Sequence, residues 1–136
     1  MATLPSGLPD HVGDDDDLAR FLTQSGQFNS FSSKPVVFLP NPTHRNTSVF
    51  RIGNEPDRLR RVFYETVTGD RQLKGAAICR TKSIRAILLD VVAEEPPPAH
   101  ANIVKWPWLR DDPEEQKAKQ LEVAAQIAAA SEMVRL

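Results

Sequence analysis

The chain has 136 residues, a formal net charge of −1, 40% hydrophobic and 26% charged residues. These values are typical of one globular domain and argue against a disordered chain or a membrane protein. The single cysteine, Cys79, excludes an internal disulfide and a multi-cysteine zinc cage, and it fits a reducing compartment.

The N-terminal residues 1–16 are predicted to form a flexible acidic tail, and residues 17–136 a single α+β domain. The tail is rich in Pro, Gly and Asp and has little apolar surface to bury. It has neither the basic residues nor the apolar run of a secretory signal, so we expect a cytoplasmic protein. The longest mainly apolar stretch, Ala86–Ala93, is far shorter than the roughly 20 residues that cross a membrane.

One short helix and two paired strands are predicted next. Leu18, Phe21 and Leu22 fall on one helical face behind an Asp run, whose carboxylates complement the positive N-terminal end of a helix dipole. Residues 34–40 and 47–52 are β-favouring runs separated by an Asn-Pro turn. Prolines at both ends of the first run predict a short or edge strand.

Residues 54–67 are predicted to form an amphipathic helix. Asn54 and Pro56 are helix-start signals. Apolar or small side chains recur at the spacing of one helical face, at Leu59, Val62, Phe63, Thr66 and Val67. A second interpretation makes residues 62–68 a strand, because Val, Phe, Tyr and Thr also favour sheets.

Two strands at residues 73–80 and 84–92, joined by a hairpin turn, are predicted at the sheet centre. The proline run Pro96–Pro98 lacks backbone donors, so the chain must leave the sheet there. Asp112 as cap and Pro113 at the first helical position predict a long C-terminal helix. The fold class is therefore α+β: a small, mostly antiparallel sheet of about four strands packed against two to three helices.

The sequence contains no established catalytic signature. It has no phosphate-binding glycine loop, nucleophile elbow, paired-histidine zinc spacing or redox cysteine pair. We therefore expect no metal and no cofactor, and an enzyme is the less favoured class.

The segment from His100 to Trp108 is the most unusual part of the chain, because His100, Asn102 and Trp106 follow a proline run. Two interpretations stay open. The segment plugs the core while its polar groups satisfy the backbone. Alternatively, His100 and Asn102 line a pocket beside a tryptophan that stacks on a ligand or anchors a partner.

Residues 44–85 are basic, with ten Lys or Arg against four Asp or Glu. Arg51, Lys74 and Arg80 lie on predicted strands, where alternation would let them share one face and bind an anion such as phosphate. The alternative is that they pair with acidic side chains, including those of the tail. Nucleic-acid binding is not favoured, since the overall charge is near zero and no aromatic-basic motif is present.

Five short segments carry a resemblance: LARFL at residues 18–22, SVFR at 48–51, KGAA at 74–77, HANI at 100–103, and the following Trp106-Pro107. With them, the chain resembles a loose group of small uncharacterised bacterial proteins that has no established activity. The resemblance spans roughly residues 17–130. It implies a bacterial cytosolic origin and transfers no functional residue.

Two functions are therefore expected, in this order. The first is a cytosolic interaction or accessory protein with a protein partner, which an exposed apolar patch around Trp106 and Trp108 would support. The alternative is a phosphate-handling enzyme or nucleotide-binding protein. It requires the three basic strand residues and His100 to converge on one concave pocket.

Overall fold

The computed structural model describes residues 2–29, 32–53, 56–66 and 71–135. The strands are β1 (Asp17–Leu22), β2 (Thr47–Arg51), β3 (Gly75–Arg80), β4 (Asp90–Ala93), β5 (His100–Val104) and β6 (Glu132–Arg135). The helices are α1 (Pro56–Thr66), α2 (Thr81–Ala86) and α3 (Pro113–Ala130), with short 3-10 helices at Ser25–Gln27 and Pro35–Phe38. Within these described ranges, no helix is both long and apolar enough to cross a membrane.

The strands form one sheet in the order β4-β5-β2-β1-β3-β6, and every neighbouring pair is antiparallel. The predicted α+β class and the long C-terminal helix are confirmed. The sheet has six strands in the described part of the chain rather than about four, because β1, β5 and β6 were not predicted as strands and the strand predicted at residues 34–40 is absent.

One face of the sheet, which we call the covered face, packs against most of the chain's apolar residues. α2, α3 and the 3-10 helix Pro35–Phe38 contribute Ile84, Ile127 and Phe38 to the same cluster. The sheet contributes Leu18, Leu22, Val49, Ala77, Cys79, Val91, Ala101 and Ile103. Burying each large aliphatic side chain contributes about 1.5–3 kcal/mol, so this cluster is the main source of stability.

The opposite face is covered over only part of its width. Leu59 and Phe63 of α1 pack against Ala19 and Ala76, which lie on β1 and β3. The β2–β5 part of the same face carries Ser48, Phe50, His100 and Asn102, and we call it the open half-face. It follows from the register, in which Ser48 lies opposite Asn102 and Phe50 opposite His100.

The predicted amphipathic helix is confirmed as α1, with Leu59 and Phe63 buried and Arg60, Arg61 and Tyr64 exposed. A strand at residues 62–66 is therefore wrong. The expected start signal Asn54 and the expected end at residue 67 lie outside the described residues.

The helix predicted at residues 18–22 is instead strand β1. Its apolar spacing fits a helical stripe, but Ala19 is fully buried on the face opposite Leu18 and Leu22. A strand between two antiparallel neighbours buries both of its faces, whereas a short surface helix buries only one. β1 pairs with β3 along its whole length, and this pairing provides the backbone hydrogen bonds that favour a strand over a helix.

The strand predicted at residues 34–40 is a 3-10 helix. Pro35 begins it, and Val37 and Phe38 are buried. The other predicted strand of that pair is confirmed as β2, but its partners are β1 and β5. Val37 thus serves as a core side chain outside the sheet, whereas Val36 is 56% exposed.

The strand predicted at residues 84–92 is divided into α2 and β4, and the predicted hairpin turn at 81–83 is the first turn of α2. The backbone N–H and Oγ1 of Thr81 both donate to the Asp16 carbonyl oxygen at 2.9 Å, which fixes the start of the helix. Leu88 has a φ of 69° and separates the helix from the strand. As expected, the chain leaves the ladder after Ala93, before the proline run.

The capping signals of the C-terminal helix are confirmed. Asp112 caps α3 by accepting a 3.0 Å hydrogen bond from the Glu115 N–H, and Pro113 is the first helical residue. The buried residues of α3 are Gln120, Ala124, Ile127 and Ala128. Leu121 is 42% exposed.

The segment before β1 contacts two arginines, Arg51 of β2 and Arg85 of α2. Arg51 donates to the Pro9 carbonyl oxygen at 2.6 Å and forms an ion pair with Asp16 at 3.1 Å. Arg85 donates to the Val12 carbonyl oxygen at 2.6 Å. The division of the chain at residue 16 into tail and domain stays a prediction.

Candidate functional site

The three basic residues expected to share one face do not come together. Arg51 lies on the covered face, is 2% exposed, and is bound to Asp16 and to backbone carbonyl groups. Arg80 is exposed and lies on the other face, where its Nε is 3.6 Å from an Asp17 carboxylate oxygen. Lys74 is exposed just before β3. Two of the three therefore pair with acidic residues, as the alternative interpretation expected.

The two tryptophans do not form an exposed apolar patch. Trp106 is 6% exposed and belongs to the covered-face cluster, although its Nε1 lacks a hydrogen-bond partner in the described structure. Trp108 is half-buried, and the Arg45 guanidinium carbon lies 4.5 Å from its ring centroid. For Trp106, the core-plug interpretation fits the structure.

His100 and Asn102, in contrast, share the open half-face on β5, and both line a cleft of about 460 Å³. Its wall also includes Arg20, Leu39, Asn41, His44, Asn46, Thr47, Ser48 and Glu94. Most of these side chains are polar, so the cleft suits a polar ligand.

The imidazole of His100 is oriented by the backbone. Its Nδ1 lies 2.7 Å from the Glu94 carbonyl oxygen, which can only accept, so Nδ1 carries the proton. In the neutral ring, Nε2 then offers a lone pair. The Ser48 hydroxyl lies 2.6 Å from Nε2 and donates its hydrogen to it. The result is a serine hydroxyl paired with a base whose tautomer is fixed by a third group.

The sheet positions this pair. The Glu94 N–H donates to the His100 carbonyl oxygen at 3.0 Å, so residue 94 is tied to His100 through both backbone and ring. The Phe50 ring lies 5.3 Å from the imidazole and stacks at 5.0 Å on Phe21. These contacts hold the imidazole between an aromatic ring and a backbone carbonyl.

Asn102 supports the rim of the cleft. It is 2% exposed, and its Nδ2 donates to the Glu94 carboxylate. The hydrogen bond directs that carboxylate toward β5, next to the backbone carbonyl that orients His100.

Arg20 supplies the positive charge of the cleft. β1 and β2 are registered only at Leu18 opposite Arg51 and Ala19 opposite Phe50. Beyond that point, Arg20 Nη1 donates to the Ser48 carbonyl oxygen at 3.0 Å, and Nε donates to the Val37 carbonyl oxygen at 2.8 Å. The guanidinium thus bridges the strands where their ladder ends.

The charge of Arg20 has no carboxylate partner among the ion pairs of the described residues. Burial lowers the pKa of its guanidinium, because desolvation disfavours the charged form. Two carbonyl dipoles offset part of this cost. An anion in the adjacent cleft would offset more of it.

The described residues contain no group of three or more His, Cys, Asp or Glu side chains placed to hold a metal ion. The cleft instead combines one guanidinium, one carboxylate at Glu94, the imidazoles of His44 and His100, and the Ser48 hydroxyl. Such an arrangement can bind an anionic group and remove a proton from a hydroxyl.

Sequence reasoning named His100 and Asn102 but missed Arg20, Ser48 and Glu94. Ser48 and His100 are 52 positions apart, and only the pairing of β2 with β5 brings them together. Both Arg20 and Ser48 lie in segments quoted for the resemblance, which was the one signal that pointed to those positions.

Comparison of the chain with family models, with curated proteins and with solved structures finds no match. The resemblance to a group of bacterial proteins stays a prediction.

Proposed function

We propose that the chain is a small phosphate-handling protein whose ligand site is the cleft lined by Arg20, Ser48 and His100. The observation that carries this proposal is the Arg20 guanidinium, a half-buried cation beside a polar cleft that has no carboxylate paired to it among the described residues. A cytoplasmic location, expected from the sequence, is part of the proposal.

Arginine is well suited to this role. Its planar guanidinium has five N–H donors and matches the geometry of phosphate oxygens. Among the described residues, two of these donors are used by the Val37 and Ser48 carbonyl groups, which fix its orientation. The remaining donors belong to a rigidly held group, so little side-chain entropy is lost when a phosphate binds.

An NMR titration of the labelled protein with inorganic phosphate, AMP, ATP and a short oligonucleotide tests the proposal. We expect saturable shifts at the Arg20 Nε–H, the Ser48 amide and the His100 ring. The variant Arg20→Lys keeps the charge but loses the planar fork, and we expect affinity to fall roughly 10- to 100-fold, as for one charged hydrogen bond.

Arg60→Lys is the matched control, because Arg60 is exposed on α1 away from the cleft. The Arg60→Lys variant should bind each probe with the same affinity as the unmodified chain. No saturable shift with any of the four probes would overturn the proposal, and equal losses in both variants would assign binding to general surface charge.

An interaction function is the second candidate, favoured by a different observation. Leu88 is 87% and Val92 43% exposed, and both line a cleft of about 700 Å³ beside β4, the terminal strand of the sheet. An edge strand with exposed apolar side chains can pair with a second copy of itself. Sedimentation velocity over a concentration series should reveal dimers that Val92→Lys abolishes, and a monomer at all concentrations would contradict this function.

A further inference from the structure

We infer that Ser48 is a nucleophile that accepts a phosphoryl group from a phosphomonoester, with His100 as its general base. The inference rests on the proposed function, because Arg20 holds the phosphoryl group that is transferred.

The first argument is the direction of the hydrogen bond between Ser48 and His100. Because Nδ1 of His100 donates to the Glu94 carbonyl oxygen, Nε2 is the acceptor for the Ser48 proton. A serine hydroxyl is a weak nucleophile unless an adjacent base takes this proton. Here the orienting group is a backbone carbonyl, which does not titrate.

The second argument is the hydrogen-bond partner of this hydroxyl, which differs from the partners of three other hydroxyls. In the described structure, the hydroxyls of Thr47, Thr81 and Ser131 donate to backbone carbonyl oxygens, which cannot take a proton at neutral pH. Ser48 instead bonds an imidazole nitrogen, and it does so on the wall of a cleft. A serine with a purely structural role needs neither an imidazole partner nor a position on the wall of a cleft.

The third argument is the position of the positive charge. Arg20 Nη1 lies 3.0 Å from the Ser48 carbonyl oxygen, so the guanidinium is anchored on the residue that carries the attacking hydroxyl, and both residues line the cleft. Phosphoryl transfer depends mainly on positioning and on stabilising the charge of the phosphoryl oxygens. Arg20 is the residue placed to do this.

The reaction has two balanced steps. Ser48 Oγ attacks phosphorus, its proton passes to His100 Nε2, and the bond from phosphorus to the ester oxygen breaks. The leaving alkoxide, on the far side of phosphorus, takes a proton from water to become an alcohol and leaves a hydroxide. The hydroxide then attacks the phosphoserine, the Oγ–phosphorus bond breaks, His100 returns its proton to Ser48 Oγ, and inorganic phosphate leaves.

A fluorophosphate ester that labels activated serines tests the nucleophile directly. The folded, unmodified chain is incubated with diisopropyl fluorophosphate, and the intact mass and peptide map are recorded over time. We expect one adduct, located on Ser48. His100→Gln should slow its formation at least about 100-fold, since a positioned base contributes roughly that factor or more.

Ser131→Ala is the matched control, because it removes a half-buried hydroxyl that bonds only a carbonyl group. Its labelling rate should equal that of the unmodified chain. The inference is overturned if the unmodified chain gives no adduct on Ser48, or if His100→Gln labels at an unchanged rate.

The transfer step is checked with acetyl phosphate, a small phosphoryl donor, by looking for phosphoserine at position 48. Phosphate binding at Arg20 without any adduct on Ser48 would overturn the nucleophile and leave the proposed function standing. An adduct on Ser48 without phosphate-induced shifts at Arg20 would overturn phosphate handling while keeping Ser48 as a reactive group.

Discussion

The covered face and the open half-face of the sheet are made by the same strands but meet different surroundings. On β5, Ala101 and Ile103 point into the apolar cluster with α3, while His100 and Asn102 point into the cleft. On β2, Val49 lies in the cluster and Ser48 in the cleft. Because side chains alternate along a strand, the residues that stabilise the fold and the residues that line the cleft lie on opposite faces of the same strands.

The difference between the faces comes from the helices. α2, α3 and the 3-10 helix Pro35–Phe38 contribute to one face, whereas α1 packs over β1 and β3 on the other. β2 and β5 place the polar side chains Ser48, His100 and Asn102 beside the cleft. The rigid covered face can hold the side chains of the cleft in place, which is what a binding or catalytic site requires.

The sharpest test of this comparison uses two neighbouring residues of β5. Ile103→Ala should lower the free energy of unfolding by about 2–5 kcal/mol, because it leaves a cavity in the covered face. Asn102→Ala should lower it by about 1 kcal/mol, since water can replace its hydrogen bond to the exposed Glu94 carboxylate. Urea unfolding of both variants measures the two free energies of unfolding. Equal decreases would refute the idea that the covered face provides more of the stability than the open half-face.

A second test concerns the buried charge on the covered face. Asp16→Asn leaves the guanidinium of Arg51, which is 2% exposed, without its carboxylate. The carbonyl groups of Pro9 and His11 remain, so the expected loss is about 2 kcal/mol. Thermal unfolding checks this value. An unchanged melting temperature would mean that the ion pair between Asp16 and Arg51 contributes nothing to stability.

A third test acts on α3, which covers the same face. Asp112→Ala removes the cap that accepts from the Glu115 N–H, and we expect a loss of about 1 kcal/mol. Asp112→Asn should recover most of it, because Asn caps as well as Asp. Urea titrations distinguish the two variants, and a loss shared equally by both would point to charge rather than capping.

The smallest effect is expected where α2 meets β4. The Arg85 guanidinium, and then the Val91 N–H, donate to Asp90 and lower its pKa below the ordinary value. Stability from this pair is therefore present above the unfolded-state pKa of about 3.9 and is lost as the pH falls through the lower, folded-state pKa. Unfolding free energies measured from neutral to acid pH should show a shallower acid loss in Arg85→Met than in the unmodified chain.

The sequence alone predicts the elements that are specified by local signals. The cap at Asp112 and the proline at 113 define α3, and the apolar spacing from Leu59 to Phe63 defines α1. β1 could not be recognised, because its five-residue apolar pattern fits a helix until the neighbouring strands are known. Likewise, no local signal divides residues 84–92, where the left-handed Leu88 separates a helix from a strand.

The candidate site was predictable only in part, for the same reason. His100 and Asn102 are close in sequence and stood out together. Ser48 and Arg20 reach them through strand pairing and through the gap between β1 and β2, which no pattern within either segment reveals. Arg51, Lys74 and Arg80 do not form the expected basic face. The side chain of Arg51 lies on the covered face of β2, because side chains alternate between the two faces of a strand.

The reactivity of the Cys79 thiol reports on the opening of the covered face. Burial, and then the negative charge of Asp17, raise the pKa of its thiol to about 11. Alkylating reagents attack the thiolate, so at neutral pH the folded chain reacts very slowly, while an unfolded chain with a thiol pKa near about 8.5 reacts readily. Because this is the chain's only cysteine, the rate of pulse alkylation, followed by mass spectrometry, measures how fast the core around Cys79 opens.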